Sequence, residues 1–356
     1  MRIAMLLSGG VDSATALKLL IDAGHTAVTA YYLKVWLEDE LHSLGDCPWQ
    51  EDLRYARAVC EQLDVPLTVM PLQDAYWQEI VGYTLRELKS GRTPSPDVFC
   101  NQRIKFKTFL EQLPDSSDYV ASGHYARVIA DAGRCQLLQG VDPTKDQSYF
   151  LSHLSQEQLK LCLFPLGSYA KPEVRALAQR FGLASAERPD SQGLCFLGKI
   201  RYREFIKFHL GERPGPIIDQ KTGRTLGEHC GYWFHTIGQR KGLALPQGPW
   251  FVVTKDMAKN VIYVRHATDL MGSRCFTTTQ LNWISQPPPD GAVQVKIRHG
   301  PKLYGAHIKQ LDGDCWHVQL EKADRGVAPG QIAVFYDRMV CLGGGTIDTI
   351  DSEDAP

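Results

Sequence analysis

The chain has 356 residues, 44% of them hydrophobic and 22% charged, with a formal net charge of −1. That length can bury a sizeable core and predicts two or three domains, while the near-zero charge excludes a chain-wide field for a polyanion and leaves nucleic acid to be met by local patches. Ten widely spaced cysteines without a C-x-x-C pair argue against a disulfide framework or a structural zinc clip, and the N-terminus shows no export signal or membrane span, so a cytoplasmic location, or an organelle matrix, is expected.

From residue 1 to about 125, four strand-like runs, RIAMLL, AVTAYYL, PLTVMPL and DYVASG, alternate with helical periodicity over Ser13 to Ala23, Glu51 to Leu63, Asp74 to Ser90 and Asn101 to Leu113. Such alternation predicts parallel βαβ units and an α/β, doubly wound, mostly parallel sheet. Ligands of such sheets gather at the carboxyl ends of the strands, where SGGVDS and SGHYAR both fall.

In MLLSGGVDSA an apolar run feeds Ser8, Gly9 and Gly10 and then a helical segment, the order of a phosphate cradle. No Gly-Lys-Ser/Thr follows, so the loop does not grip a terminal phosphate as a P-loop does. Backbone N–H groups and the hydroxyls of Ser8 and Ser13 at a helix start suit an anion, and the softer grip suits a pyrophosphate that leaves. SGGVDS here resembles the loop of the PP-loop ATP pyrophosphatases, and that resemblance implies Asp12 beside the triphosphate, assisting a metal or taking a proton. The plainer alternative is a tight turn in which Asp12 or Ser13 caps the helix.

In GRTPSPDVFCNQRIKF, Pro94 and Pro96 stiffen a loop, and Asp97 and Val98 lead into a helix carrying Cys100 in its first turn. A helix start with Arg103 and Lys105 nearby favours thiolate, a nucleophile's setting; a buried small residue is the plainer alternative. Cys195 lies in the Gly-flanked DSQGLCFLG, after Pro189 and Asp190. Two thiols that meet in space can exchange sulfur through a disulfide, one bearing a persulfide that the other resolves.

Helical stretches over Gln156 to Leu163, Lys171 to Phe181 and Tyr202 to Leu210 follow, and from RPGPIID onward the chain turns to short β runs with Gly and Pro turns. The expected division is a catalytic ATP-binding domain over 1–205, a small central domain over 206–271 and a C-terminal β-barrel domain over 272–356. Basic clusters at Lys89, Asn101, Gly238 and Lys296 are open to two readings, phosphate contact or plain solvated surface.

SGGVDS after the first strand resembles the signature of the PP-loop ATP pyrophosphatases. With GRTPSPDVFCNQRIKF, ASGHYAR, KDQSYFL, DSQGLCFLG, HTIGQRKGL and the final PGQIAVFY and CLGGG, the order and spacing resemble the tRNA-specific 2-thiouridylase family over essentially the whole chain. The resemblance implies ATP and Mg2+ as cofactors, a persulfide sulfur-donor protein as partner, and sulfur transfer to C2 of the wobble uridine in tRNAs for Lys, Glu and Gln. It implies Cys100 as nucleophile and Cys195 as persulfide bearer, with a disulfide between them during turnover. Leu6, Leu7, Ser8, Gly9, Gly10, Val11, Asp12, Ser13, Leu33 and Gly123 would line the ATP site. Ser95, Pro96 and Asp97 match the segment that touches the flipped base, and His124, Lys145, Asp146, Gln147, Arg298, His299 and Gln331 the positions that meet tRNA. The sequence departs from the family in Leu33, where Met is common, in Ser95, where Asn is common, and around KIRHGPKLYG.

The chemistry needs activation because the uridine O2 is a poor leaving group; adenylylation makes it a phosphate ester. The persulfide then attacks C2 directly, or Cys100 releases hydrosulfide from it, and the residues do not choose between the routes. Three alternatives remain: a PP-loop ligase or amidotransferase delivering ammonia, a nucleotide-sensing module, and an iron–sulfur cluster on Cys100, Cys195 and Asp97.

Overall fold

Alternate residues of the first strand face different layers, and both layers are apolar. Ile3 and Met5 pack with Leu17, Val28 and Val174, whereas Ala4 and Leu6 face a cluster holding Tyr76, Phe106 and Phe109. A strand buried on both faces reads as one continuous apolar run, and RIAMLL is such a run.

The computed structural model describes residues 1–36, 49–113, 117–131, 133–190 and 201–351. In chain order the first part contains β1 (Arg2–Leu6), α1 (Val11–Asp22), β2 (Ala27–Lys34), α2 (Trp49–Leu63), β3 (Leu67–Pro71), α3 (73–89), α4 (96–111), β4 (Tyr119–Ala121), the hairpin β5 (Ala126–Asp131) and β6 (Arg134–Gln139), α5 (Gln156–Lys160), β7 (Cys162–Leu163) and α6 (Lys171–Arg180). Five strands form a parallel sheet in the order β3-β2-β1-β4-β7. This is the doubly wound sheet the alternation predicts. The strand order reverses between β1 and β4, and the crevice beyond their carboxyl ends is where such folds bind ligands. Ser8 to Ser13 leave β1 there, and Ser122 to His124 leave β4.

Two local expectations change, and one element is added. The stretch Gln156 to Leu163 is not one helix: α5 ends at Lys160, and Cys162 and Leu163 pair in parallel with Val120 and Ala121. An apolar pair after a helix cannot be told from its last turn by periodicity alone. Second, α4 begins at Pro96, which takes the first helical position, so Cys100 stands in the second turn and not the first. Proline is tolerated there because the first-turn N–H it lacks would be unpaired anyway. The added element is the hairpin β5–β6, which leaves the parallel sheet: Leu137 and Leu138 pair with Cys341 and Val340 near the end of the chain.

Over Cys100–Thr108 the turns of α4 widen to π spacing. Widened turns leave backbone carbonyls in need of other donors. The Gln158 amide supplies two, donating to the carbonyls of Gln102 (2.9 Å) and Phe106 (2.8 Å), and the Thr108 hydroxyl donates to Arg103 O (2.8 Å).

After α7 (Tyr202–Leu210), β8 (Gly215–Asp219), β9 (Thr225–His229), β10 (Trp250–Asp256) and β11 (Val261–His266) form a small sheet in the order β10-β11-β8-β9 around Ile217, Val252, Ile262 and Val264. The last part is a closed barrel. β12 (Ser273–Trp283), β13 (Gly291–Lys296), β14 (Tyr304–Gln310), β15 (Trp316–Asp324), β16 (Ile332–Asp337) and β17 (Val340–Asp351) run in the order β12-β15-β14-β13-β16-β17, and β17 returns to β12. Closure removes the exposed edges that a short-stranded sheet would otherwise carry. Phe276, Val295, Trp316, Val318 and Phe335 fill its interior, while Ile332, Val334 and Tyr336 join the core that holds Phe106 and Cys100. Among the described residues no helix is long and apolar enough to cross a membrane.

Candidate active site

The loop after β1 is built around two glycines. Gly9 has φ +78°, and a Cβ there would stand 2.2 Å from the Asp52 carbonyl, so no side chain fits. Gly10 is the N-cap of α1 in extended conformation, and no side chain caps the helix. That sets aside the plain capping role for Asp12 or Ser13. Ser13 is turned back into the loop: its hydroxyl accepts from Ser8 N (3.2 Å) and donates to Gly10 O (3.1 Å). The first turn of α1 thereby keeps backbone donors for an anion, helped by the helix dipole. Gly123 closes the other side. A Cβ there would come within 2.9 Å of Ser13 N, so only glycine lets β4 approach the cradle. Leu6 and Leu7 are buried behind the loop with Val11, and Leu33 packs half-buried on the neighbouring strand.

Asp12 is held from two directions. Its Oδ1 accepts from Tyr125 OH (2.7 Å), and Lys171 Nζ reaches both oxygens at 2.7 and 2.9 Å. Burial and the Asp12 carboxylate push the Tyr125 phenol far above its ordinary pKa, so it is a fixed donor. Lys171 also contacts Asp190 Oδ1 (2.8 Å), which meets Arg175 as well, while Asp190 Oδ2 accepts from Lys145 (2.8 Å). Burial raises the Asp190 carboxyl, but hydrogen bonds from Lys145 and Lys171 and their charges outweigh it and hold the pKa well below the carboxylate range. Arg188 adds a third tie, donating to Gly9 O (2.9 Å) and pairing with Asp52 (2.7 Å).

Cys100 is 3% exposed and lies in the core beside Phe99, Ile104 and Phe106. Arg103 stacks on Phe99, the residue before Cys100, with its guanidinium 4.3 Å from the ring, and contacts Glu79. The charge of Lys105 acts on Asp97 and His124. Burial raises the Asp97 carboxyl against the pull of Lys105, and burial with Lys105 drops the His124 imidazole well below its usual range. His124 is therefore neutral near pH 7, its Nδ1 2.7 Å from Ser122 Oγ and its ring between Phe106 and Phe164. Cys195 lies outside the described residues.

Ser95 stands just before α4, its N–H donating to Tyr83 OH (3.2 Å). Gln331 reaches it from the barrel: its amide donates to the carbonyls of Thr93 (3.3 Å) and Pro94 (3.2 Å) and lies 3.4 Å from Ser95 Oγ. Two residues singled out 236 positions apart are thus in contact. Lys145, Asp146, Gln147, Arg298 and His299 form a second group at the junction with the barrel. His299 stacks on Phe150 at 4.4 Å, and Arg298 is fixed by Asp324 (3.0 and 3.2 Å). Asp146 is turned inward and 4% exposed, accepting from Gln139, Gly140, Ser148 and Lys296. Gln147 is spent on Tyr125, whose N–H it accepts at 3.0 Å.

Tyr125, Lys171, Arg175, Arg188 and Asp190 were not singled out from the sequence. Pro172 after Lys171 and the Glu173 side chain on Ala170 N mark the start of a helix, but nothing in the spacing ties that start to a loop 159 residues earlier.

The family described as tRNA methyl transferase HUP domain matches residues 1–199, tRNA methyl transferase PRC-barrel domain residues 203–266, and aminomethyltransferase beta-barrel domain residues 273–347. The chain is 41% identical to tRNA-specific 2-thiouridylase MnmA of Parabacteroides distasonis over 98% of its own length and 99% of that protein. It is likewise 41% identical to tRNA-specific 2-thiouridylase MnmA 1 of Bacteroides thetaiotaomicron, over 98% and 99%, and to tRNA-specific 2-thiouridylase MnmA of Shewanella amazonensis, over 97% and 93%.

Proposed function

The chain belongs to the tRNA-specific 2-thiouridylase family, and from that membership we propose that it replaces O2 of the wobble uridine in tRNAs for Lys, Glu and Gln with sulfur, consuming ATP. The observation that carries this reading is 41% identity spread over 98% of the chain and 99% of a 2-thiouridylase.

In this reading the polyphosphate of ATP lies on the first turn of α1, and Leu6, Leu7 and Leu33 wall the adenine. The uridine O2 attacks the α-phosphorus, the bond to the β-phosphate breaks, and pyrophosphate leaves onto the backbone donors of the cradle. Asp12, beside that cradle, would be the carboxylate nearest a magnesium ion on the triphosphate, which would supply charge neutralisation at the leaving group. Among the described residues no three His, Cys, Asp or Glu gather as a metal cluster of their own.

The base, out of its stack, lies against Ser95, Pro96 and Asp97; extrusion costs a few kcal/mol. Burial raises the Asp97 carboxyl, which favours its protonated form beside the base. The terminal sulfur of a Cys195 persulfide attacks C2 and AMP departs; the Cys100 thiolate then attacks the Cys195 sulfur, freeing the C2 sulfur and leaving a Cys100–Cys195 disulfide for an external dithiol to reduce. Hydrosulfide released by Cys100 is the other route with the same balance. Arg298, His299 and Gln331 meet the tRNA, and a persulfide-bearing protein charges Cys195.

The test is ATP-dependent thiolation of unmodified tRNA, read by mass spectrometry of nucleosides. The expected products are 2-thiouridine, AMP and pyrophosphate in equal amounts. Cys100→Ser and Cys195→Ser should each abolish thiolation, and full activity in either would remove the paired-thiol mechanism. Amidation without sulfur would point to a ligase, and tight ATP binding without turnover to a sensor.

A further inference from the structure

The nucleotide loop contains no lysine, yet an ammonium stands in it. Lys171, the first residue of α6, sits with its side chain 11% exposed between Asp12 of the cradle and Asp190. Arg175, one turn along the same helix face, meets the same Asp190 oxygen as Lys171, and Lys145 takes the other oxygen. Three cations therefore converge on one carboxylate, within one side chain's reach of the loop that receives the phosphates.

A carboxylate needs one or two such partners; three cations in a fork and two points suit an anion with more oxygens and more charge. Lys171 lies between the cradle and that fork, so a pyrophosphate group spanning them would touch the backbone donors at one end and the cations at the other. We propose that Lys171 and Arg175, with Lys145 at the outer edge, form the pyrophosphate subsite of the nucleotide site, and that Asp190 is the internal anion which holds those cations until phosphate takes its place. A bound polyanion and Asp190 then compete for one set of charges. Asp190 thereby lowers affinity for the product and helps pyrophosphate to leave, while Lys171 raises affinity for both pyrophosphate and ATP. This rests on the nucleotide reading of the cradle given above.

The competition has opposite signs at the two residues, and calorimetry on the full chain can read both with inorganic pyrophosphate, α,β-methylene-ATP and AMP as probes. Lys171→Ala should weaken pyrophosphate and the ATP analogue tenfold or more and leave AMP within twofold; Lys171→Arg should recover much of the loss. Asp190→Asn should tighten pyrophosphate several-fold. If Lys171→Ala is folded by circular dichroism and binds pyrophosphate as the wild type does, the subsite is wrong. If Lys171→Ala does not fold, Asp190→Asn decides, since it keeps the Lys171–Asp12 pair: tighter binding supports the proposal, and unchanged or weaker binding overturns it. Failure of the wild type to bind the ATP analogue at all would instead overturn the nucleotide reading itself.

Discussion

Replacing Lys296 by Met tests what fastens the barrel to the parallel-sheet half. Lys296 Nζ is 2.9 Å from Asp146 Oδ2, and the two side chains are 5% and 2% exposed. Met keeps most of the apolar stem, so the lost packing is small and the change isolates the charge. Removing one member of a buried pair costs about 3–5 kcal/mol, because the other stays buried without its counter-charge. Here Asp146 keeps neutral donors on Gln139 Nε2 (3.2 Å), Gly140 N (3.2 Å) and Ser148 N (3.1 Å). Each is worth about 1 kcal/mol, which places the expected loss at the low end, about 3 kcal/mol. Asp146→Asn should cost a similar amount, and the double variant clearly less than the two together. Urea titration followed through the fluorescence of Trp283 and Trp316, whose rings lie 5.1 Å apart inside the barrel, reads these values. Arg298 and His299 follow Lys296 by two and three residues, so tRNA affinity should fall in parallel. A loss under about 1 kcal/mol, with additive single and double variants, would show that the pair is solvated and that the seam is held elsewhere.

Two further outcomes follow from the same reasoning. Burial raises the Asp324 carboxyl, but hydrogen bonds from Tyr304, Gly326 N–H and Lys302 and the Arg298 charge carry its pKa down to about 2. A pKa lowered by folding stabilises above the unfolded value near 4 and loses that contribution as pH falls through about 2, so Asp324→Asn should cost roughly 2 kcal/mol at pH 7 and progressively less toward pH 2. Urea midpoints from pH 2.5 to 7 give the comparison, and a gap that does not narrow would refute the charge argument. Gly9→Ala places a Cβ 2.2 Å from the Asp52 carbonyl at φ +78°; calorimetric titration with α,β-methylene-ATP should show affinity reduced tenfold or more, and an unchanged value would remove the cradle from this loop.

The sheet was legible because its signals are local. The strands of the first half are apolar runs, β1 and β4 ending in Ser-Gly turns, and the connecting helices have apolar stripes, so the alternation carries the topology class by itself. The barrel was legible as texture only. Its closure through β12 and β17 depends on pairing Phe276 with Ile350 and Trp283 with Gly343, and such register is fixed by long-range packing that no window of sequence contains. The hairpin β5–β6 escaped for a related reason. Its edge is satisfied by Val340 and Cys341, two hundred residues away in the chain.

The same division runs through the site. Gly9 and Gly123 were readable because only glycine permits those approaches, and a steric demand leaves a fixed letter in the sequence. Charge leaves no such letter, since a lysine that serves a cradle and a lysine on a solvated face are written alike. Lys171 illustrates this: it reads as the first residue of an ordinary helix, and its importance comes from Asp12 and Asp190 on either side of it. Asp146 shows the converse, a charged residue in a motif that resembles a contact surface but is placed inside. Its burial is possible because Lys296 and three neutral donors meet it, and those partners come from β6, from the turn after it and from the barrel. A buried carboxylate with a full set of donors fixes the relative position of the segments that supply them. Asp146 therefore acts on Lys145 and His299, its neighbours in chain and in space, by holding the two segments that carry them at one seam.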